Sequence, residues 1–225
     1  MPTPRHGPCT WGRLMQLVKA RRLILIFSTV FWAVTVGASL GMLWEYSASP
    51  GAEGDPPQVW PADSKLPAPS GSPVLVMIAH PQCPCSRASI GELARLMAEA
   101  PVEISATVLF VKPAGADQAW SETDLWRKAA AIPGVRVLSD DDALEARRFG
   151  AATSGQTVVY DGEGRLQFSG GITASRGHAG DNAGLSAILS LLARPVAHLA
   201  NTPVFGCSLF SPKAACQQGA MLCRR

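Results

Sequence analysis

The longest uncharged stretch of the chain, from Leu23 to Trp44, constrains the architecture of the whole protein. Its twenty-two residues are rich in Leu, Ile, Val and Phe and include no Asp, Glu, Lys or Arg. At a rise of about 1.5 Å per residue, a helix of this length spans the roughly 30 Å hydrocarbon core of a bilayer. Trp44 and Tyr46 stand at its end, where aromatic rings suit the headgroup region. We therefore predict a single transmembrane helix over residues 23–46.

Basic residues flank this helix on one side only. Five Lys and Arg residues and no acid precede Leu23, and the next basic residue after the helix is Lys65. The positive-inside bias therefore predicts that segment 1–22 is cytoplasmic and that the C-terminal domain is periplasmic or otherwise extracytoplasmic. The alternative is a cleaved signal peptide with small residues at Ser47-Ala48-Ser49. The apolar stretch exceeds the usual length of about 7–15 residues for such peptides, which favours an uncleaved anchor in the cytoplasmic membrane.

The segment 47–73 has the composition of a linker. It contains seven prolines and three glycines. Proline lacks a backbone N–H and fixes φ, so this segment is predicted to be an extended spacer without helix or central strand. From Ser47 onward, fifteen Lys and Arg residues face sixteen Asp and Glu residues, and the net charge is −1. Nucleic acid is therefore not an expected partner, because its binding needs clustered basic residues.

Beyond the linker, hydrophobic patterns alternate between strand and helix. The wholly apolar Val74–Ala79 predicts a buried strand, and apolar residues at i, i+3, i+4 and i+7 predict a helix from Ser86 to Glu99. Further strands are predicted over Val102–Val111, Val135–Leu138, Gln156–Tyr160 and Arg165–Ser169, and further helices over Ser121–Ala130, Asp141–Phe149 and Asn182–Ala193. This order predicts an α/β domain over 74–195, with a parallel core sheet, helices on both faces and an antiparallel hairpin at one edge. A cysteine-containing tail, 196–225, follows it.

The element order, with Cys83 and Cys85 between the first strand and first helix, resembles the thioredoxin fold in its membrane-tethered TlpA/ResA-like version. The run His80-Pro81-Gln82-Cys83-Pro84-Cys85-Ser86-Arg87-Ala88-Ser89 more narrowly resembles RedB-type proteins. So do Gly170-Gly171-Ile172-Thr173 and the following Gly177-His178. The resemblance implies a mixed central sheet flanked by helices, preceded by one transmembrane helix. It also implies a thiol–disulfide oxidoreductase that acts on protein thiols or disulfides, with a membrane or periplasmic redox partner.

The motif Cys83-Pro84-Cys85 is the predicted redox centre. Pro84 suits a first helical turn, so Cys83 is expected near the helix N-terminus, where N–H groups and the dipole lower a thiol pKa. We predict that Cys83 attacks and that Cys85, expected to be more shielded, resolves the mixed disulfide. The family usually places two residues between the cysteines; a single residue makes a smaller, more strained ring, which favours an oxidant or isomerase. An inert local disulfide would gain little, because so short a loop gives little entropic stabilisation.

Four further residues are candidates to support the pair. His80 precedes the motif and can tune the pair electrostatically or serve as a hydrogen-bonded strand end. Arg176 and His178 lie in a glycine-rich loop that the family places beside the cysteines, where they can stabilise a thiolate. In that loop, Asp181 is predicted to cap the last helix. Gly155 stands where the family has a cis-proline that shapes substrate binding and keeps metals out.

The tail contains three cysteines, Cys207, Cys216 and Cys223, whose spacings match closed zinc sites poorly. Cys207 can relay electrons to the pair, but a structural bridge to Cys216 is the favoured interpretation.

Two other functions compete with the oxidoreductase, which itself needs no metal or cofactor. The fold, two nearby cysteines and a distant histidine also resemble Sco-type copper metallochaperones, in which case Cys83, Cys85 and His178 would bind Cu(I). A thiol peroxidase is the third interpretation, although no peroxide-binding signature surrounds Cys83.

Overall fold

A computed structural model describes residues 10–194 and 199–210, with side chains from residue 15 onward. The chain divides into two compact units, one ending at Tyr46 and one beginning at Ser47. The long helix α1 covers Thr10–Ala48. Within it, Met15–Ala48 is long and apolar enough to cross a membrane, with a mean hydropathy of 2.1. The predicted N-terminal apolar helix is therefore present.

The second unit is built around a six-stranded mixed sheet. Its elements, in chain order, are β1 (Val74–Ala79), α2 (Ser86–Glu99), β2 (Ser105–Lys112), α3 (Asp124–Ala130), β3 (Val135–Asp141), α4 (Leu144–Arg148), β4 (Gln156–Tyr160), β5 (Leu166–Gly170), α5 (Ala183–Ala193) and β6 (Ala200–Asn201). The strand order is β3-β2-β1-β4-β5-β6. Strands β1, β2 and β3 are parallel, β4 pairs antiparallel with β1, and β5 pairs antiparallel with β4. This arrangement is the thioredoxin-like fold, which confirms the predicted class.

The sequence prediction was wrong about the edge of the sheet. The hairpin does not end it, because β6 from the predicted tail pairs with β5, and Phe168 lies opposite Ala200. A two-residue strand carries too little pattern to be recognised from sequence. The tail therefore contributes to the domain from at least Ala200.

Three predicted helix starts also differ from the structure, and one of them is α4, which begins at Leu144 and not at Asp141. Helix α3 begins at Asp124, after a 3-10 turn over Gln118–Trp120, and Ser121 donates its hydroxyl to the Gln118 carbonyl at 3.0 Å instead of capping α3. Helix α5 is capped by Asn182, whose Oδ1 accepts the Leu185 N–H at 2.7 Å. The predicted cap, Asp181, has a fully exposed side chain.

The alternation of β1 divides the core between the two faces of the sheet. Leu75 and Met77 face a cluster that includes side chains of α2, α3 and α5. Val76 and Ile78 face the opposite cluster, which includes side chains of α4 and Trp60. Because both faces of β1 are covered, its wholly apolar sequence is explained.

The proline-rich segment 47–73 begins with the last two residues of α1, and beyond them it is docked on the domain and is not a free spacer. The Trp60 N–H donates to the Gly164 carbonyl at 2.8 Å, and the Tyr160 hydroxyl donates to the Pro57 carbonyl at 2.9 Å. Trp60 is 9% exposed, and its ring packs edge-on against Phe149, at a centroid distance of 5.0 Å. Proline content excluded a helix but did not indicate these contacts, which join residues far apart in sequence.

Candidate redox site

The Cys-Pro-Cys motif occupies the tight turn between β1 and α2. The Cys83 N–H donates to the His80 carbonyl at 3.0 Å, and Cys85 takes the N-cap position of α2 in a helical conformation. The Thr123 hydroxyl donates to the Pro81 carbonyl at 3.1 Å, which ties this turn to the start of α3. The strand-to-helix location predicted for the motif is confirmed, and Cys83 lies three residues before the first residue of α2.

The predicted difference in exposure between the two cysteines was wrong. Cys83 is 1% exposed and Cys85 is 8% exposed, so the first cysteine is the more shielded. The prediction considered only the helix start, where an early residue is more open. It did not include the tail, whose Cys207 contacts Cys83.

Cys207 reaches the motif because residues 207–209 lie along the loop before β4. The Ser154 N–H donates to the Cys207 carbonyl at 2.8 Å, and the Leu209 N–H donates to the Ala152 carbonyl at 3.0 Å. The sulfur atoms of Cys83, Cys85 and Cys207 all lie within 4.8 Å of one another. The Cys207 thiol is free. Its predicted bridge partner, Cys216, lies outside the described residues, as do Cys9 and Cys223.

The surroundings of Cys83 favour its thiolate. Burial by itself raises the pKa of this thiol. Hydrogen bonds from the Cys207 thiol, the Ser86 hydroxyl and the backbone N–H groups of both residues outweigh burial and lower the pKa of Cys83 to about 7. Ser86 is the first residue of α2, so the predicted help from the helix start is present. At neutral pH, about half of this thiol is therefore ionised.

The other two thiols are shifted in the opposite direction. Burial and the neighbouring Cys83 charge raise the pKa of Cys85, although Arg176 opposes this shift through its charge and a hydrogen bond. Burial, followed by the hydrogen bond to Cys83, raises the pKa of Cys207 to about 12. One thiolate is thus held beside two protonated thiols. Cys83 is therefore the nucleophile among the three cysteines, because the thiolate is the attacking species.

Arg176 is the loop residue that the structure brings to the cysteines. Its guanidinium donates to the Gly206 carbonyl and, at 3.2 Å, to the Ser49 carbonyl. These contacts place its charge where it acts on both Cys85 and Cys207. His178, the other predicted loop residue, is exposed and its imidazole is not part of the sulfur cluster.

His80 has the contacts of a hydrogen-bonded strand end. Its Nδ1 accepts the Gln82 N–H at 3.2 Å, and its ring packs edge-on against Trp120 at 5.5 Å. Burial lowers the pKa of His80, so the neutral imidazole is favoured.

Two serines that the sequence analysis did not single out connect these parts of the site. The hydroxyls of Ser86 and Ser154 lie 2.7 Å apart, and the Ser154 hydroxyl also accepts the His80 N–H at 2.7 Å. Both side chains are buried. The only sequence signals were their positions, one directly after Cys85 and one directly before Gly155.

Position 155 requires a glycine, because of its backbone conformation and the little space around it. Its φ is +93°, and its N–H donates to the Ile78 carbonyl at 2.7 Å. An ideal Cβ at this position would lie 2.8 Å from Ser89 Oγ. No cis peptide bond occurs among the described residues, so the peptide bond at Gly155 is trans.

Comparisons with known proteins found solved structures that are similar to this chain. No protein-family model matches the chain, and no curated protein matches its sequence. An uncharacterized conserved protein from Geobacillus kaustophilus is 20% identical with a TM-score of 0.52, over 73% of this chain and 94% of that one. A hypothetical protein from Sinorhizobium meliloti is 19% identical with a TM-score of 0.48, over 72% and 94%. A secreted disulfide oxidoreductase of Mycobacterium tuberculosis is 15% identical with a TM-score of 0.39, over 55% and 82%.

Proposed function

We propose that this chain is a membrane-anchored thiol–disulfide oxidoreductase of the RedB type, with Cys83 and Cys85 as its redox pair. The observation that carries the proposal is the placement of Cys83. Its sulfur receives hydrogen bonds from Cys207 and Ser86, and its pKa is lowered to about 7. A buried cysteine with a merely structural role has no need for donors that favour its thiolate.

The reaction begins with the reduced pair. The Cys83 thiolate attacks one sulfur of a protein disulfide, forms a mixed disulfide, and releases one substrate thiolate. The Cys85 thiol then loses its proton to the released thiolate and attacks the Cys83 sulfur. The products are the Cys83–Cys85 disulfide and the second substrate thiolate, which takes a proton from water, so two electrons pass to the substrate. The same steps in reverse oxidise a substrate dithiol.

Arg176 serves the second step as a positioning residue. Cys85 has a raised pKa and must ionise before it can attack, and the guanidinium favours that ionisation. Gly206 and Ser49 hold the guanidinium through their carbonyl groups.

Cys207 has two roles in this proposal. Its thiol donates to the Cys83 sulfur and thereby favours the attacking thiolate. It is also close enough to relay the disulfide, because its sulfur lies within 4.8 Å of both others. In the relay, the Cys207 thiol loses its proton and attacks Cys83 in the Cys83–Cys85 disulfide. A Cys83–Cys207 disulfide forms, and Cys85 leaves as a thiolate that takes up a proton.

The proposed location follows from the first helix and the bases before it. A helix over Met15–Ala48 that can span a bilayer, with its basic residues on the N-terminal side, supports a periplasmic or extracytoplasmic domain. The proposed substrates are therefore thiols or disulfides of exported proteins, and a membrane or periplasmic redox partner restores the pair.

Trapping of the mixed disulfide tests this proposal. In full-length protein with Cys9, Cys207, Cys216 and Cys223 replaced by Ser, we compare Cys85→Ser with Cys83→Ser. A peptide disulfide should accumulate as a mixed disulfide on the Cys85→Ser variant, because resolution is blocked, and not on the Cys83→Ser variant. Equal trapping on both variants, or trapping on neither, would refute the assignment of roles.

A further inference from the structure

We infer that the reduced site binds one Cu(I) ion through the three thiolates of Cys83, Cys85 and Cys207. The geometry is the first reason. Metal–thiolate bonds of about 2.3 Å place the sulfurs of a trigonal centre about 4.0 Å apart. The three sulfur atoms already lie within 4.8 Å of one another, so small side-chain rotations suffice to close the site.

The ligand set favours Cu(I) over other metals. Thiolates are soft ligands that select Cu(I) and zinc, whereas Mg²⁺ and Ca²⁺ prefer oxygen. A closed structural zinc site needs four ligands in tetrahedral geometry. Within the described part of the chain, the sulfur cluster contains no histidine, Asp or Glu ligand atom. Three sulfurs in a buried site match the low coordination number that Cu(I) accepts.

The protein also offsets part of the negative charge that such a site would carry. Three thiolates and one Cu(I) carry a net charge of −2, and binding releases the protons that remain on the three thiols. The Arg176 guanidinium, which interacts with Cys85 and Cys207, offsets part of that charge. Burial of Cys83 and Cys85 keeps water and oxidants away from the ion.

This ligand set differs from the copper site that the sequence suggested. The sequence offered His178 as the third ligand, but His178 is exposed and outside the cluster. Cys207 takes its place, brought in by the pairing of residues 207–209 with the loop before β4. Copper binding of this kind goes beyond the proposed exchange activity and does not require it. A Cys83–Cys85 disulfide removes two of the three ligands, so oxidation of the pair releases the ion.

The test is an anaerobic titration of Cu(I) in the presence of the coloured chelator bicinchoninate. It uses reduced full-length protein in detergent with Cys9, Cys216 and Cys223 replaced by Ser, because these thiols could bind copper themselves. We expect one Cu(I) withdrawn from the chelator per chain and an X-ray absorption spectrum with three sulfur neighbours. Cys207→Ser in the same background should weaken binding by about 100-fold or more, which exceeds the cost of altering an outer-shell contact. The oxidised protein should withdraw none.

Several results would overturn the copper site. They are no withdrawal of Cu(I) by the reduced protein, an unchanged affinity in Cys207→Ser, or preferential retention of Zn²⁺ in four-coordinate form. A thermal unfolding curve of Cys207→Ser shows whether its weaker binding reflects lost structure. If Cys207→Ser is destabilised, Cys207→Ala replaces it, provided that its unfolding temperature matches that of the parent protein. Disulfide exchange by the metal-free protein is measured in parallel. Failure of copper binding with exchange intact refutes only this inference, and the reverse result refutes only the proposed enzyme.

Discussion

The hydrogen bond from Cys207 to Cys83 leads to a quantitative prediction. The pKa of Cys83 is about 7, compared with about 8.5 for an unperturbed cysteine, and the difference corresponds to about 2 kcal/mol. Four donors share this effect, and the Cys207 thiol is the largest contributor after the opposing cost of burial. A hydrogen bond contributes about 0.5–1.5 kcal/mol, so Cys207→Ala should raise the pKa of Cys83 to about 8. The thiolate fraction at neutral pH would fall from about one half to about one tenth, and alkylation would slow about five-fold.

The rate of iodoacetamide alkylation against pH measures this change. Cys9, Cys85, Cys216 and Cys223 are replaced by Ser in every sample; the Cys207 thiol, with its pKa raised to about 12, contributes little near neutral pH. Cys207→Ser is the matched control, because its hydroxyl keeps a donor to Cys83 and removes the thiol. We expect the Ser variant to keep a midpoint near that of the parent. A midpoint near 7 in the Ala variant, or identical midpoints in both variants, would refute the hydrogen-bond explanation.

Three further predictions follow from the docked segment, the glycine before β4 and the N-terminal helix. Trp60→Ala should destabilise the protein by about 3–5 kcal/mol, because this residue is buried against the domain. Val59 has an exposed side chain, so Val59→Ala should change the stability little, and chemical unfolding compares the two variants. Gly155→Ala should lower stability by about 1–3 kcal/mol, and by more than Gly177→Ala, where φ is also positive but nothing lies within 4 Å of the added Cβ. Equal losses in the two glycine variants would show that the contact with Ser89 is unimportant. Protease added to intact spheroplasts should degrade the domain after the helix, and complete protection would contradict the proposed topology.

Much of the fold could be predicted because local signals agreed with tertiary packing. The bounds of β1, α2 and β4 were predicted correctly, since an unbroken apolar run and a helical spacing of apolar residues leave few alternatives. The start of α3 was not, because Ser121 has the residue type of a cap but uses its hydroxyl within the preceding 3-10 turn.

The content of the site was less predictable than its location. The motif itself placed Cys83 and Cys85 at the strand-to-helix turn. Cys207 lies 124 positions after Cys83 in the sequence, and it arrives through backbone hydrogen bonds, which any residue type can make. The glycine at 206 was the one local signal, because an ideal Cβ there would lie 1.9 Å from the Ser154 carbonyl oxygen. Sequence patterns report periodic burial, and a single close approach of this kind is not periodic.

The docked segment illustrates the same limit. Its prolines correctly excluded regular structure, but composition does not distinguish an extended chain in solvent from one packed on a domain. The burial of Trp60 against Phe149 and Tyr160 depends on residues about 90–100 positions away. The boundary between linker and domain stays a prediction that stability measurements on shortened chains can decide.

The measurement that tests the central claim most directly is a redox titration of the Cys83–Cys85 pair. Full-length protein with Cys9, Cys207, Cys216 and Cys223 replaced by Ser is equilibrated in glutathione buffers of graded potential. The thiols that remain are then counted by alkylation and mass spectrometry. We predict a loss of both thiols together in one two-electron transition, with a slope of about 30 mV per tenfold change in the ratio of reduced to oxidised protein. If both thiols remained alkylatable at every glutathione potential, or were lost singly as glutathione adducts, the pair would not be a redox centre.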